Sequence, residues 1–286
     1  MLEALHTALN LSVALFIAGV LFVAGLEVTF AQALAPLKNR SILIRSLLAN
    51  IVLAPLIVYA MSIVFPLERP FMIGVLLYGF AAGAPYTPKL VSVAAGDVPT
   101  SIGLTILLTV LTIFYMPLIL PFLVPGTSIG IWDIAEPLLL QMFVPLVIGL
   151  LLRHFNERLA AKALRPANVI VNLSLLVFLV LALALHHEAL LAIVGTGVVS
   201  SAAALTVLTF GAGCLLGRGG QKGKVTLGLV TTARNIGAAA TIAMANFGNE
   251  PKVLLTIVVC LFVVFALAFP AAKLYSARRR SCHAET

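Results

Sequence analysis

Long apolar stretches divided by charges set the pattern of the chain. Uncharged runs cover 7–26, 46–67, 70–88, 98–132, 137–152, 166–187, 189–217, 225–249 (interrupted by Arg234) and 253–272. A helix crosses the hydrocarbon core of a bilayer in about 20 residues, and each run reaches or approaches that length. The run 98–132 exceeds one span. Pro117, Pro121, Pro125 and Gly126 crowd its second half, which predicts a helix ending near Val124 and a loop over 125–132. Pro166 is expected to open its helix, where the missing N–H costs nothing. The first run follows only Glu3 and His6. It lacks the positive start and small-residue cleavage site of a signal peptide and is read as a retained helix. The pattern predicts an all-α integral membrane protein with nine transmembrane helices in one transmembrane domain over 1–286.

Composition agrees. The chain is 62% hydrophobic and 10% charged, against about 25% charged in soluble domains. Its mean hydropathy is +1.15. So few charges cannot clothe a water-soluble surface, and nine spans leave no room for a soluble domain. Cys214, Cys260 and Cys282 are odd in number and widely spaced, which excludes a disulfide framework.

The cations sort by side. With nine helices, the loops after helices one, three, five and seven and the C-terminal tail hold fourteen of the 18 Lys and Arg residues. The opposite side holds Arg69 and Lys252. This bias predicts an outside N-terminus and a cytoplasmic C-terminus in the inner (plasma) membrane, with 277–286 a basic cytoplasmic tail. The pI of 9.8 then reflects loops facing anionic lipid and implies no nucleic-acid partner.

Two cations, Lys89 and Arg234, fall inside apolar runs. A cation near mid-span costs at least about 2.5–3.5 kcal/mol and normally faces a cavity or a partner. Lys89 lies in Gly83-Ala84-Pro85-Tyr86-Thr87-Pro88-Lys89-Leu90. Each proline removes a donor and obstructs the carbonyl four residues earlier, so the pair is expected to break the helix. Arg234 lies among small and hydroxyl residues, from Gly228 through Thr231, Thr232 and Asn235 to Gly237. Broken backbone at membrane depth survives only inside protein or beside a wet cavity. The breaks are 145 residues apart, Lys89 to Arg234, in helices three and eight. This is the pattern of inverted repeats, here 7–124 and 135–276, which build a midplane site from discontinuous helices. Each half-helix C-terminus carries about half a negative charge, so a positive group is expected beside the breaks.

Gly83-Ala84-Pro85 enters the first break and Gly96-Asp97-Val98 closes that helix. Ser101 and Thr105 follow one helix later, and Asn235 precedes an Ala-rich run to Ala245-Asn246-Phe247. Their order and spacing resemble a divergent prokaryotic-type member of the bile acid:sodium symporter family of secondary transporters, over almost the whole chain. The resemblance implies a core domain holding crossed broken helices and a panel domain that moves against it. It also implies a nine-helix form lacking the first helix of ten-helix members. The family's sodium ligands carry over in part. One sodium site falls on Thr87, Pro88, Ser101, Thr105 and Val230, where the family has a Glu at the last position. The other falls on Val230, Arg234 and Asn50, where the family has Glu, Gln and Gln.

Lys89 and Arg234 are therefore expected to act as tethered cations in place of sodium. They would balance the helix dipoles and draw a small organic anion to the crossover. Thr87, Pro88, Thr231, Thr232 and Asn235 would surround them, with Asn50, Ser101 and Thr105 as a residual ion site. Sodium or a proton is the expected coupling ion, and no cofactor is implied. A buried Lys89 would release its proton readily and so permit proton coupling. Other residues carry plainer readings. His186-His187-Glu188 reads as an external loop, Trp132 and Tyr275 as interface anchors, and Asn168 and Asn172 as interhelical hydrogen-bond groups. Ser200, Ser201 and the Gly195-Thr196-Gly197 stretch read as close-packing positions. No nucleotide-binding, zinc-protease or nucleophile-elbow motif occurs, which predicts no enzyme. The alternatives are a related permease of arsenite or auxin-efflux type, and a channel or non-transporting receptor. Cys214 and Cys260 lie away from both breaks, against an arsenite site.

Overall fold

The structure, a computed structural model, describes residues 2–123, 129–193 and 195–284. All secondary structure among them is helical. We label α1 (Leu2–Glu27), α2 (Phe30–Leu34), α3 (Arg40–Val64), α4 (Arg69–Phe80), α5 (Thr87–Val93) and α6 (Val98–Leu123). There follow α7 (Ile131–Phe155), α8 (Glu157–Ile193), α9 (Val198–Leu216), α10 (Gly220–Thr232), α11 (Ile236–Phe247) and α12 (Pro251–Ala284). Seven of these (α1, α3, α6, α7, α8, α9 and α12) are long and apolar enough to cross a membrane. The remaining apolar segments are two interrupted pairs, α4 with α5 and α10 with α11.

Proline shapes the long helices in two ways. In α3 and α7 a single wide π-type turn, Leu48–Leu53 or Leu139–Phe143, precedes Pro55 or Pro145. The extra residue relieves the clash that the proline ring would make in a regular turn. Pro166 does not open its helix as expected. It lies inside α8, which starts at Glu157. The amphipathic segment 157–165 buries Ala160 while its charged residues stay exposed, and it extends the helix beyond its apolar run. The same helix runs through His186-His187-Glu188, so these residues are helical rather than an external loop. The helix α12 likewise continues to Ala284, through most of the expected tail. The expected loop 125–132 lies outside the described residues at 125–128, and α7 already begins at Ile131.

Close approach of helix backbones holds the bundle together. A Cβ on Gly25 of α1 would stand 2.4 Å from Leu146 O and 2.9 Å from Gly149 Cα of α7. A Cβ on Gly213 of α9 would stand 2.7 Å from Gly228 Cα of α10. Lipid gives apolar side chains no reason to associate, so this intimate packing supplies the attraction. Gly195 and Gly197 serve differently from expectation. Their φ values of 92° and 88° make a tight turn, with open space around Gly195. Asn168 and Asn172 make no interhelical bond either. Asn168 donates to Leu164 O of its own helix at 3.0 Å, and Asn172 is exposed. Trp132 is 66% exposed beside the start of α7, as an interface anchor would be.

Gly149→Leu should drive a side chain into the backbone of α1 and lower the thermal unfolding midpoint in detergent, by about 1–3 kcal/mol or more of stability. Gly211→Ala, at a helix position with nothing within 4 Å, should leave that midpoint unchanged or slightly raised.

Candidate functional site at the paired helix breaks

A helix that stops inside an apolar layer leaves carbonyls that need donors. The first break covers Ala81–Tyr86, between α4 and α5. Pro85 lies within it, whereas Pro88 sits in the first turn of α5, where proline fits. Every carbonyl from Gly79 to Ala84 finds a partner. Ala84 O accepts from the Thr87 hydroxyl at 2.6 Å. Gly83 O accepts from Thr109 Oγ1 at 2.7 Å and from Asn235 Nδ2 at 3.0 Å. Ala82 O accepts from Thr112 Oγ1 at 3.0 Å. Ala81 O accepts from the Asn235 backbone N–H at 2.7 Å. Phe80 O accepts from the Tyr115 hydroxyl, and Gly79 O from Arg234 Nη1 at 3.4 Å. Gly83 has a φ of 82°, and a Cβ there would stand 2.3 Å from Thr109 N, so α6 presses directly on the break.

Thr109, Thr112 and Tyr115 were missed by the sequence reading. Their signal is the spacing: hydroxyls at i, i+3 and i+6 share one helix face, and they follow a broken helix.

The second break is shorter, Ala233–Asn235. Asn235 caps α11, accepting from Ala238 N at 3.2 Å. The same side chain donates to Gly83 O, so this one residue joins the two breaks. Thr232 Oγ1 donates to Thr206 O at 2.9 Å and accepts from Thr209 Oγ1 at 3.1 Å, tying the end of α10 to α9. The Tyr86 hydroxyl donates to Arg234 O at 3.4 Å.

Arg234 is the centre of the site. It is 1% exposed and is the single charged member of the buried polar set among the described residues. Among the described residues no carboxylate pairs with it. Its Nη1 donates to Gly79 O, near the C-terminus of α4. Its Nη2 donates to Thr231 O, near the C-terminus of α10, and to Asn50 Oδ1 at 3.3 Å. The guanidinium thus lies against the negative ends of both half-helices. Asn50 sits in the wide turn of α3 and donates to Ser46 O at 3.0 Å and to Thr231 Oγ1 at 3.4 Å. Arg234 Nε and Tyr78 Oη are buried without hydrogen-bond partners.

The other expected members divide. Thr87, Thr231, Thr232 and Asn235 are buried in the breaks, as is Asn50 beside them. Lys89 is not part of this cluster. It is exposed near the start of α5, without a hydrogen bond or ion pair among the described residues, so the structure pairs it with neither Arg234 nor a half-helix carbonyl. Two residues on, α5 turns its next buried face, Leu90 and Val91, to the core instead.

Of the residues at the expected sodium positions, only the hydroxyls of Thr87, Ser101 and Thr105 are left to offer oxygen to a sodium ion, which prefers a cage of oxygen ligands. Val230 packs in an apolar cluster with Ala82, Leu104, Leu108 and Leu227. The Asn50 oxygen is taken by Arg234. The Ser101 hydroxyl bonds Val98 O of its own helix, and Thr105 Oγ1 stands buried without a partner. Pro88 offers no side-chain oxygen.

Residues 14–193, more than half of the chain, match the family model described as the Sodium Bile acid symporter family. The match covers the first break and ends before the second. No curated protein matches the chain.

Arg234→Ala should leave Gly79 O, Thr231 O and Asn50 Oδ1 without their donor. The expected cost is about 1–3 kcal/mol for each acceptor left unpaired, read as a lower unfolding midpoint in detergent. Arg234→Lys keeps the charge but loses the planar fork, and should recover only part of the midpoint.

Proposed function

We propose that this chain, which belongs to the sodium bile acid symporter family and is an integral membrane protein, is a secondary carrier of a small organic anion that works without sodium. The observation that carries this reading is the buried guanidinium of Arg234 on the carbonyl ends of α4 and α10. A family carrier gathers sodium where negative helix ends and a carboxylate meet. Here the carboxylate position is Val230, in an apolar cluster, and the helix ends already hold a fixed cation. A covalently held charge cannot leave with the substrate, so it supplies the balance without supplying a gradient. Lys89 is exposed and stands outside the buried cluster. A substrate gradient, or exchange of one anion for another, then drives the cycle.

The proposed architecture has nine spans, counting each interrupted pair as one. Its repeats are 7–124 and 135–276, with the broken helices crossed in a core and α1, α7 and α8 as the panel. Extensive packing of α1 on both α7 and α8 supports that grouping. The concentration of cations at one end supports an outside N-terminus and a cytoplasmic C-terminus in the plasma membrane.

The test is uptake of labelled carboxylates into proteoliposomes under sodium or potassium gradients of equal size. The expected result is uptake at the same initial rate in both, reduced at least about tenfold by Arg234→Ala. A strict requirement for sodium contradicts the proposal. The paired change Val230→Glu with Arg234→Gln, which restores the family's residues, should make uptake rise with sodium.

A further inference from the structure

A cavity of about 520 Å³ opens between α1, the wide turn of α7 and the α11–α12 turn. The helix α11, whose end lines the cavity, starts two residues after Arg234. The polar lining of the cavity is Asn10, Gln141, Asn249 and Glu250, with Met244 and Phe247 among the apolar residues. The size falls in the range of about 300–1,000 Å³ typical of small-molecule sites.

Three observations fix its chemistry. First, Glu250 Oε2 is buried without a hydrogen-bond partner, although the residue lines the cavity. Among the described residues no ion pair neutralises this carboxylate. Second, no cation lines the cavity among the described residues. Lys252, two residues away, is held elsewhere, 3.2 Å from Glu68 Oε2 and over the Phe71 ring. The C-terminus of α11 at Phe247 and the N-terminus of α12 at Pro251 meet at the same wall, so their partial charges oppose each other. Third, the three amides bring N–H donors as well as acceptors. Gln141 is presented from the wide turn at Leu139–Phe143, much as the turn at Leu48–Leu53 presents Asn50 to Arg234. Asn246 is not available to a ligand, because it bonds Asp133 O at 3.2 Å and Ile242 O at 3.3 Å and so ties α11 to α7.

We propose that this cavity is a ligand site for a small zwitterion, an organic acid that also carries an ammonium group. Glu250 receives the ammonium, and the amides of Asn10, Gln141 and Asn249 receive the carboxylate. The inference rests on the reading of the chain as an organic-acid carrier and narrows it by adding a cationic group to the substrate. A plain carboxylate would meet Glu250 as a like charge, and a plain amine would leave the amide donors unused.

The test is thermal unfolding of the full chain in detergent with 6-aminohexanoate, hexanoate or hexylamine, because a ligand of the folded state raises the midpoint with occupancy. 6-Aminohexanoate should raise the midpoint saturably, at concentrations at least about tenfold lower than the other two. Glu250→Gln should weaken it at least about tenfold, with a ligand-free midpoint equal to or above that of the wild type. Should that variant fail to fold, Gln141→Leu must weaken 6-aminohexanoate by a comparable factor. No shift of the wild type, or an unchanged affinity in the variant that folds, overturns the proposal. Uptake of hexanoate by proteoliposomes without Glu250-dependent binding of 6-aminohexanoate would overturn this inference and leave the carrier reading standing. Glu250-dependent binding without uptake of any carboxylate would support the site and remove the carrier reading.

Discussion

Two helices that end inside an apolar layer leave carbonyls no water can reach, and the rest of the fold is arranged around giving those carbonyls donors. A guanidinium suits the task. It holds its charge, and its planar fork can address several acceptors at once. Arg234 uses that fork to join Gly79 O on one half-helix to Thr231 O on another, with Asn50 from a third helix completing the set. The desolvation of so buried a charge is offset by the partial negative charge of two helix ends rather than by a carboxylate. Asn235, the next residue, binds both Ala81 O and Gly83 O. Two successive side chains therefore make the breaks a single unit.

That unit needs support from outside. The hydroxyl row Thr109, Thr112 and Tyr115 on α6 carries three carbonyls of the first break. Thr206 and Thr209 on α9 hold the end of α10. Most of the polar groups buried here bond one another, while Arg234 Nε and Tyr78 Oη stay without partners. Breaks tied to each other by Arg234 and Asn235 can move as one body.

Much of this was legible in the chain. The apolar runs located the long helices, because a lipid-facing helix must be apolar along its whole length, and the charges between them marked the ends. The two interior cations marked both breaks. Their roles were not legible to the same degree. Lys89 and Arg234 look equivalent in sequence, but three residues of helix past Tyr86 turn Lys89 outward, while Arg234 sits in the break itself. Pro166 resembled a helix start because proline fits a first turn, yet an amphipathic segment before it continues the helix. The capping hydroxyls of α6 were hidden because threonines in an apolar helix usually bond their own backbone, and only the packing against Gly83 shows their second use.

The central claim is that a fixed cation stands where the family seats a mobile one. The most direct measurement is the thermal unfolding midpoint of the wild-type chain in detergent as sodium replaces choline at constant ionic strength. A bound ion would add about 2.7 kcal/mol at a hundred times its dissociation constant. The account predicts a midpoint that does not change with sodium. A saturable rise of the midpoint with sodium would contradict it.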